Sequence, residues 1–137
     1  MIRKIKKEEI PIIAKKYASI MKKNFTKIGE EPITKEKYEI ILKENYKKSL
    51  MFVLDNKGIK AFLWFIQEGG EINLEEVFSI ERGKGYGSRL MNFLIDHAKK
   101  EKVKRINLDV HFKNKDALNF FRKIGFTERT IELSLDL

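Results

Sequence analysis

Cysteine is absent from the 137 residues, which removes a disulfide framework, a thiolate nucleophile and cysteine-ligated zinc from the chemistry available to the chain. Histidine occurs only at positions 97 and 111. Without a third ligand-type neighbour, His97 reads as a helix-surface residue and His111 as a strand-end residue, not as a metal centre. Proline is limited to Pro11 and Pro32. No apolar run approaches the roughly 20 residues that span a bilayer, and the opening MIRKIKKEEI has no apolar centre of the kind a secretory leader carries. A cytoplasmic protein with no membrane partner is expected.

Negative charge is the scarcer sign, with 20 Asp and Glu against 29 Lys and Arg, a net charge of +9. Such an excess can attract polyanions. The lysines, however, fall in pairs such as Lys15-Lys16, Lys22-Lys23, Lys47-Lys48 and Lys99-Lys100, interleaved with Glu, the pattern of a solvated helix face. No basic-aromatic ladder or recognition helix marks a nucleic-acid surface. The length supports one domain with a real core, and neither a repeat nor a linker divides residues 1–137.

Residues 2–5 read as a short strand. Ile10, Ile13, Ala14, Tyr17, Ile20, Met21 and Phe25 then recur at helical spacing. Residues 25–33, with Gly29 and Pro32, read as a loop, and Thr34 as the cap of a second helix bearing Tyr38, Ile41, Leu42, Asn45 and Tyr46. From residue 50 the period changes to that of an antiparallel meander, with strands at 50–54, 59–67 and 71–80 and turns at Asp55–Gly58 and Glu68–Gly70. The run from Ala61 to Ile66 is apolar on both faces, so that strand should be covered on both sides and Trp64 should lie in the core. A helix over 86–101 and a strand over 105–110 complete a parallel crossover. Asn114 can cap a last helix ending at Gly125, and residues 126–137 read as a final strand with Ile131, Leu133, Leu135 and Leu137 on one face. The fold class is α+β (mixed α/β), a mostly antiparallel sheet of six or seven strands flanked by four helices.

Between the third meander strand and the following helix stands Ile-Glu-Arg-Gly-Lys-Gly-Tyr-Gly-Ser, residues 80–88. Glycine removes the side chains that would hinder close approach, and a helix start offers free N–H groups and the positive end of its dipole, so this is a cradle for phosphate. Arg82 and Lys84 add cationic side chains. The spacing is not that of G-x-x-x-x-G-K-[ST], because Lys84 is followed by Gly85. Nor is it G-x-G-x-x-G, since Gly83, Gly85 and Gly87 have the wrong last interval and follow a meander.

It does fit R-x-x-G-x-G through Arg82, Gly85 and Gly87, and with this motif the chain resembles the GNAT superfamily of N-acetyltransferases. Val77 stands where such enzymes end the fourth strand with an aliphatic residue, and Asn114-x-x-Ala117-x-x-Phe120-Phe121-x-x-x-Gly125-Phe126 matches the family's later helix-to-strand motif. The order β-α-α-β-β-β-α-β-α-β is also the family's. The resemblance covers nearly the whole chain and implies the acyl-CoA N-acyltransferase fold, with acetyl-CoA as co-substrate and no metal. Its pyrophosphate would lie on the amides of Gly83, Lys84, Gly85, Tyr86, Gly87 and Ser88. Backbone groups of Val77 and Ser79 would pair with the pantetheine arm in a splay between the fourth and fifth strands. Asn114, Ala117, Phe120 and Phe121 would line the thiol end, and Lys123 would approach the adenosine phosphate. Simple core packing is the competing account of the two phenylalanines.

Direct acetyl transfer to a primary amine requires a neutral amine, a donor for the developing oxyanion and a proton for the departing thiolate. The donor would be a backbone N–H near Phe78. Glu71, Asn73 and Glu75 share a strand face by the period-two rule, and Glu71 stands where some family members carry a glutamate acting as general base through water. A solvated hairpin-edge carboxylate is its alternative reading. Where many relatives place a tyrosine acid, this chain has Phe121, which leaves open an enzyme without a dedicated acid, one using Tyr38 or Tyr46, or a CoA-binding module without chemistry. An RNA-binding domain built on the Arg-Gly loop is a further rival. Glu30, Glu31, Glu68 and Glu71, on loops that set acceptor choice in such folds, favour a cationic amine. The short C-terminal segment, lacking a hairpin turn, points to an open edge and a homodimer.

Overall fold

The computed structural model describes residues 1–137. Its elements run β1 (Ile2–Lys4), a 3-10 turn (Lys7–Glu9), α1 (Ile10–Ile28), α2 (Lys35–Asn45), β2 (Leu50–Asp55), β3 (Ile59–Glu68), β4 (Glu71–Ser79), α3 (Tyr86–Lys100), β5 (Arg105–Asn107) and α4 (Lys115–Ile124). One sheet has the order β1-β2-β3-β4-β5. Its pairs are antiparallel except the last, β4 with β5, which is parallel.

The period-two pattern of β3 divides the molecule. Phe62 and Trp64 pack with Ile10, Ile13, Tyr17, Tyr38 and Leu42 under α1 and α2. Ala61, Leu63 and Phe65 pack with Leu90, Met91 and Leu94 under α3, and α4 adds Phe120, Phe121 and Ile124 at the margin. The central strand is therefore covered on both faces, as its unbroken apolar run implies. Trp64 is buried, and its indole N–H donates to Ser49 Oγ at 2.9 Å.

α1 outruns its expected end by three residues. Gly29 caps it in the left-handed region at φ 75°, its N–H donating to the carbonyls of Phe25 and Thr26, a conformation that costs glycine no Cβ clash. Phe25 and Ile28 thus lie on the helix and not in a loop. Thr34 caps α2 as expected, its Oγ1 accepting from the Lys37 N–H.

Two expectations are corrected at the C-terminal side. The sheet has five strands, not six or seven, and residues 126–137 form no strand. β5 is only three residues long, because beyond Asn107 the chain turns away from β4, and so short an edge offers little ladder for another strand to pair with. Ile131, Leu133, Leu135 and Leu137 are consequently exposed, each above 80%.

Candidate acyl-transfer site

β4 and β5 pair only from Glu71 to Asn73 against Arg105 to Asn107. From Leu74 to Ser79, β4 keeps β3 on one side and has no strand on the other. Its free edge opens into a cleft of about 680 Å³ whose far wall is Leu108, Asp109, Val110 and His111. This is the splay that the resemblance implies.

At the mouth of the cleft lies the glycine loop. Gly83 and Gly85 take left-handed φ of 76° and 73°, and Gly85 is the N-cap of α3. No N–H from Arg82 to Ser88 meets an acceptor within the protein, and the first bond of the helix is Arg89 N–H to Gly85 C=O. Free amide donors at the positive end of a 15-residue helix are the arrangement that suits an anion. Gly87 faces α4, where a Cβ would come within 3.6 Å of the Phe120 ring. Arg82 reaches across the mouth to Asp116 at 3.7 Å, an exposed pair that contributes little to stability.

Of the residues singled out in the sequence, Val77, Phe78, Ser79, Arg82, Gly83 and Gly85 line this one cleft, as do Tyr86, Gly87, Ser88, Asn114, Ala117, Phe120 and Phe121. Lys84 and Lys123 are exposed and lie outside its lining. Asn114 caps α4, its Oδ1 accepting from the Ala117 N–H at 3.2 Å. Phe121 packs edge-on against Phe120 and Phe126, with ring centroids 5.1 and 5.5 Å away.

Glu71 is held elsewhere. Its Oε1 accepts from Asn107 Nδ2 at 2.9 Å and pairs with Arg105 at 3.3 Å, and it is not among the cleft residues. The Asn107 hydrogen bond, and secondarily the charge of Arg105, hold its carboxyl below the usual range. Glu30, Glu31 and Glu68 also lie outside the lining.

The cleft has its own carboxylates, and a β-bulge explains why alternation named Glu75 and not Glu76. Trp64 of β3 pairs with Glu76 while Phe65 pairs with Leu74, so Glu75 is an extra residue. Beyond it the strand is out of phase, and Glu76, not Glu75, continues the face of Glu71 and Asn73, on the side of α1 and α2. Burial pushes the Glu76 carboxyl up to about 8, against an opposing contribution from the Val77 backbone. Glu75 is also raised, by burial and then by the charge of Asp109. None of these three carboxylates has an ion-pair partner in the protein.

Sequence reasoning also missed Tyr17, whose place in the helical stripe marked it only as core. It lines the cleft and stacks on Tyr38 with centroids 3.6 Å apart. Burial, followed by the charge of Glu76, pushes both phenols up, so they remain neutral. Tyr38 Oη is buried with no partner in the protein. Tyr46 points elsewhere, its Oη 3.5 Å from the Ile5 carbonyl. Neither Tyr38 nor Tyr46 lines the cleft.

The acetyltransferase (GNAT) family model matches residues 16–126. An uncharacterised N-acetyltransferase of Methanocaldococcus jannaschii is 38% identical over 50 residues, which are 36% of this chain and 22% of that protein. The match thus spans about a fifth of the curated relative's length. Among solved structures, a possible acetyltransferase from Clostridium difficile superposes with a TM-score of 0.82 at 16% identity, over 100% of this chain and 96% of that one. The ribosomal-protein-S18-alanine N-acetyltransferase of Escherichia coli superposes with a TM-score of 0.74 at 20% identity, over 95% and 79%. At such identities the superpositions speak for the fold, while the family match covers most of the chain and includes the glycine loop, the splayed strand and α4. The chain therefore belongs to the acetyltransferase (GNAT) family.

Proposed function

We propose that the protein transfers an acetyl group from acetyl-CoA directly to a primary amine in a ternary complex. The observation that carries this reading is the row of unpartnered amides from Arg82 to Ser88, at the mouth of a cleft whose floor is an unpaired strand edge. The amides and the α3 dipole suit a pyrophosphate. The free edge of β4 near Val77 and Ser79 suits the amides of a pantetheine arm, as an added strand would. Bound there, acetyl-CoA supplies the activated thioester. Arg82 and Lys84 add positive charge at the mouth, and Lys123, on the exposed side of α4, is free to reach a peripheral phosphate. Phe120, Phe121, Ala117 and Asn114 form a largely apolar wall that excludes water.

Glu76 takes the role of general base that the family resemblance implies for Glu71. It accepts the proton that the incoming ammonium must lose before its nitrogen bonds to the acyl carbon. As the carbon–sulfur bond breaks, the departing thiolate takes up a proton. With a thiol pKa of about 8.5 the thiolate is a tolerable leaving group, so water or the neutral Tyr17 phenol suffices where Phe121 offers none. A backbone N–H near Phe78 is the candidate oxyanion donor. We place this reaction in the cytoplasm, and a homodimer joined through the exposed C-terminal stripe completes the reading.

A thermal-shift titration with acetyl-CoA tests the donor, since a ligand of the native state must raise its apparent stability. Release of free thiol with added amines tests transfer. Phe121 favours a second reading, a CoA-binding module without chemistry; a thermal shift without thiol release across polyamines, peptides and aminoglycosides would establish that instead. Salt-dependent RNA binding without affinity for CoA would overturn both.

A further inference from the structure

α1 carries its apolar stripe further than the sheet requires. Ile10, Ile13, Ala14 and Tyr17 are buried in the core. The next members, Ile20, Met21, Phe25 and Ile28, are only half-buried; the first three pack at the margin of that core, and all four line the cleft. A helix normally turns polar residues toward water. A contiguous row of large apolar side chains along one wall of a cavity is the composition of a ligand pocket. The one polar member, Asn24, has its Nδ2 3.3 Å from Met21 Sδ.

The same cleft holds Glu76, Glu75 and Asp109 without any cationic partner. One part of the site therefore asks for positive charge and another for apolar surface. A chain of several ammonium groups does not satisfy both. It would lay charge along Ile20, Met21 and Phe25, and near the end of α1 it would meet Lys27, Lys113 and Lys115, which rim the adjoining depression.

We propose that the acceptor is a primary amine carried on an apolar body, aromatic or branched aliphatic, with its nitrogen at Glu76 and its body against the α1 stripe. This rests on the acetyl-transfer reading above and narrows its substrate class. A free amine and the N-terminus of a peptide with an apolar first residue present the same chemistry.

The test measures thiol release from acetyl-CoA with phenethylamine, isoamylamine, ethylamine, spermidine, and tetrapeptides beginning with Phe, Met or Gly. Phenethylamine or the Phe and Met peptides are expected to exceed ethylamine, spermidine and the Gly peptide at least about tenfold in kcat/KM. Which of the two arms responds identifies the source. Met21→Glu should erase this preference while leaving the thermal shift produced by acetyl-CoA unchanged, and Met21→Gln gives the same comparison at nearly constant volume. Preference for spermidine or equal rates across the panel would overturn the acceptor assignment alone, whereas no turnover despite an acetyl-CoA shift would overturn it together with the transfer reading. Absence of the shift would overturn the donor reading and this inference with it.

Discussion

At Glu76 one side chain couples stability to the chemistry proposed for it. Its folded pKa of about 8 lies above the ordinary carboxyl value of 4.5, so between those values the folded state binds the extra proton. Stability is then lost as pH rises through about 8, because ionising a desolvated carboxyl is unfavourable. Glu76→Gln, which imitates the protonated form, is expected to raise the melting temperature at pH 9 relative to the parent. The same change should lower kcat about 10²- to 10³-fold by removing the base, and kcat/KM of the parent should climb through about pH 8. Scanning calorimetry and thiol-release kinetics check the two halves. Glu9 behaves oppositely. Its hydrogen bonds and ion pair with Arg3, at 2.7 and 2.9 Å, pull its carboxyl down to about 2. The stability it contributes is present above about 4.5 and disappears as pH falls toward 2. Glu9→Gln should therefore cost on the order of 1 kcal/mol near neutrality, after solvent screening, and almost nothing in urea melts at pH 2.

Among the elements, legibility in the sequence followed the range of the interactions that shape each one. Thr34, Gly85 and Gly125 act on neighbours a few residues away, so these helix starts and ends could be read directly, whereas the end of α1 at Gly29 was placed three residues too early. The glycine loop and the Asn114 helix were legible for the same reason, and both line the one cleft. The face of β4 was not legible, because the bulge at Glu75 depends on how β3 lies beside it; that hid Glu76 and drew attention to Glu71. Tyr17 and the α1 stripe were read as core because periodicity reports an apolar face but not what covers it. The bulge makes an unusual mutation informative. Deleting Glu75 would pair Trp64 and Phe65 with consecutive residues of β4, restoring a regular ladder with every other side chain on its present face. The shortened protein is expected to fold, by circular dichroism and a cooperative melt, yet to transfer acetyl groups at least about tenfold more slowly, since small displacements of reacting groups are costly.

For the whole molecule, two hydrophobic cores flank one sheet, and no helix is long and apolar enough to cross a membrane. The alternating stripe Ile131, Leu133, Leu135 and Leu137 belongs to neither core. Exposed apolar surface in a strand-like rhythm favours self-association. Sedimentation is expected to show dimers that the double substitution Leu133→Glu with Leu135→Glu converts to monomers; monomers alone at high concentration would contradict it. The three-residue pairing of β5 with β4 has a different consequence. Everything after Lys104 is attached to the sheet through that short ladder and through half-buried side chains such as Leu108, Phe126 and those of α4, which has no fully buried residue. Native-state hydrogen exchange should thus reveal a C-terminal quarter that opens far more readily than β2 and β3. A donor bridging β4, the start of α3 and α4 would slow that exchange, so that the co-substrate acts as a transient piece of the core, inserted and withdrawn once per turnover.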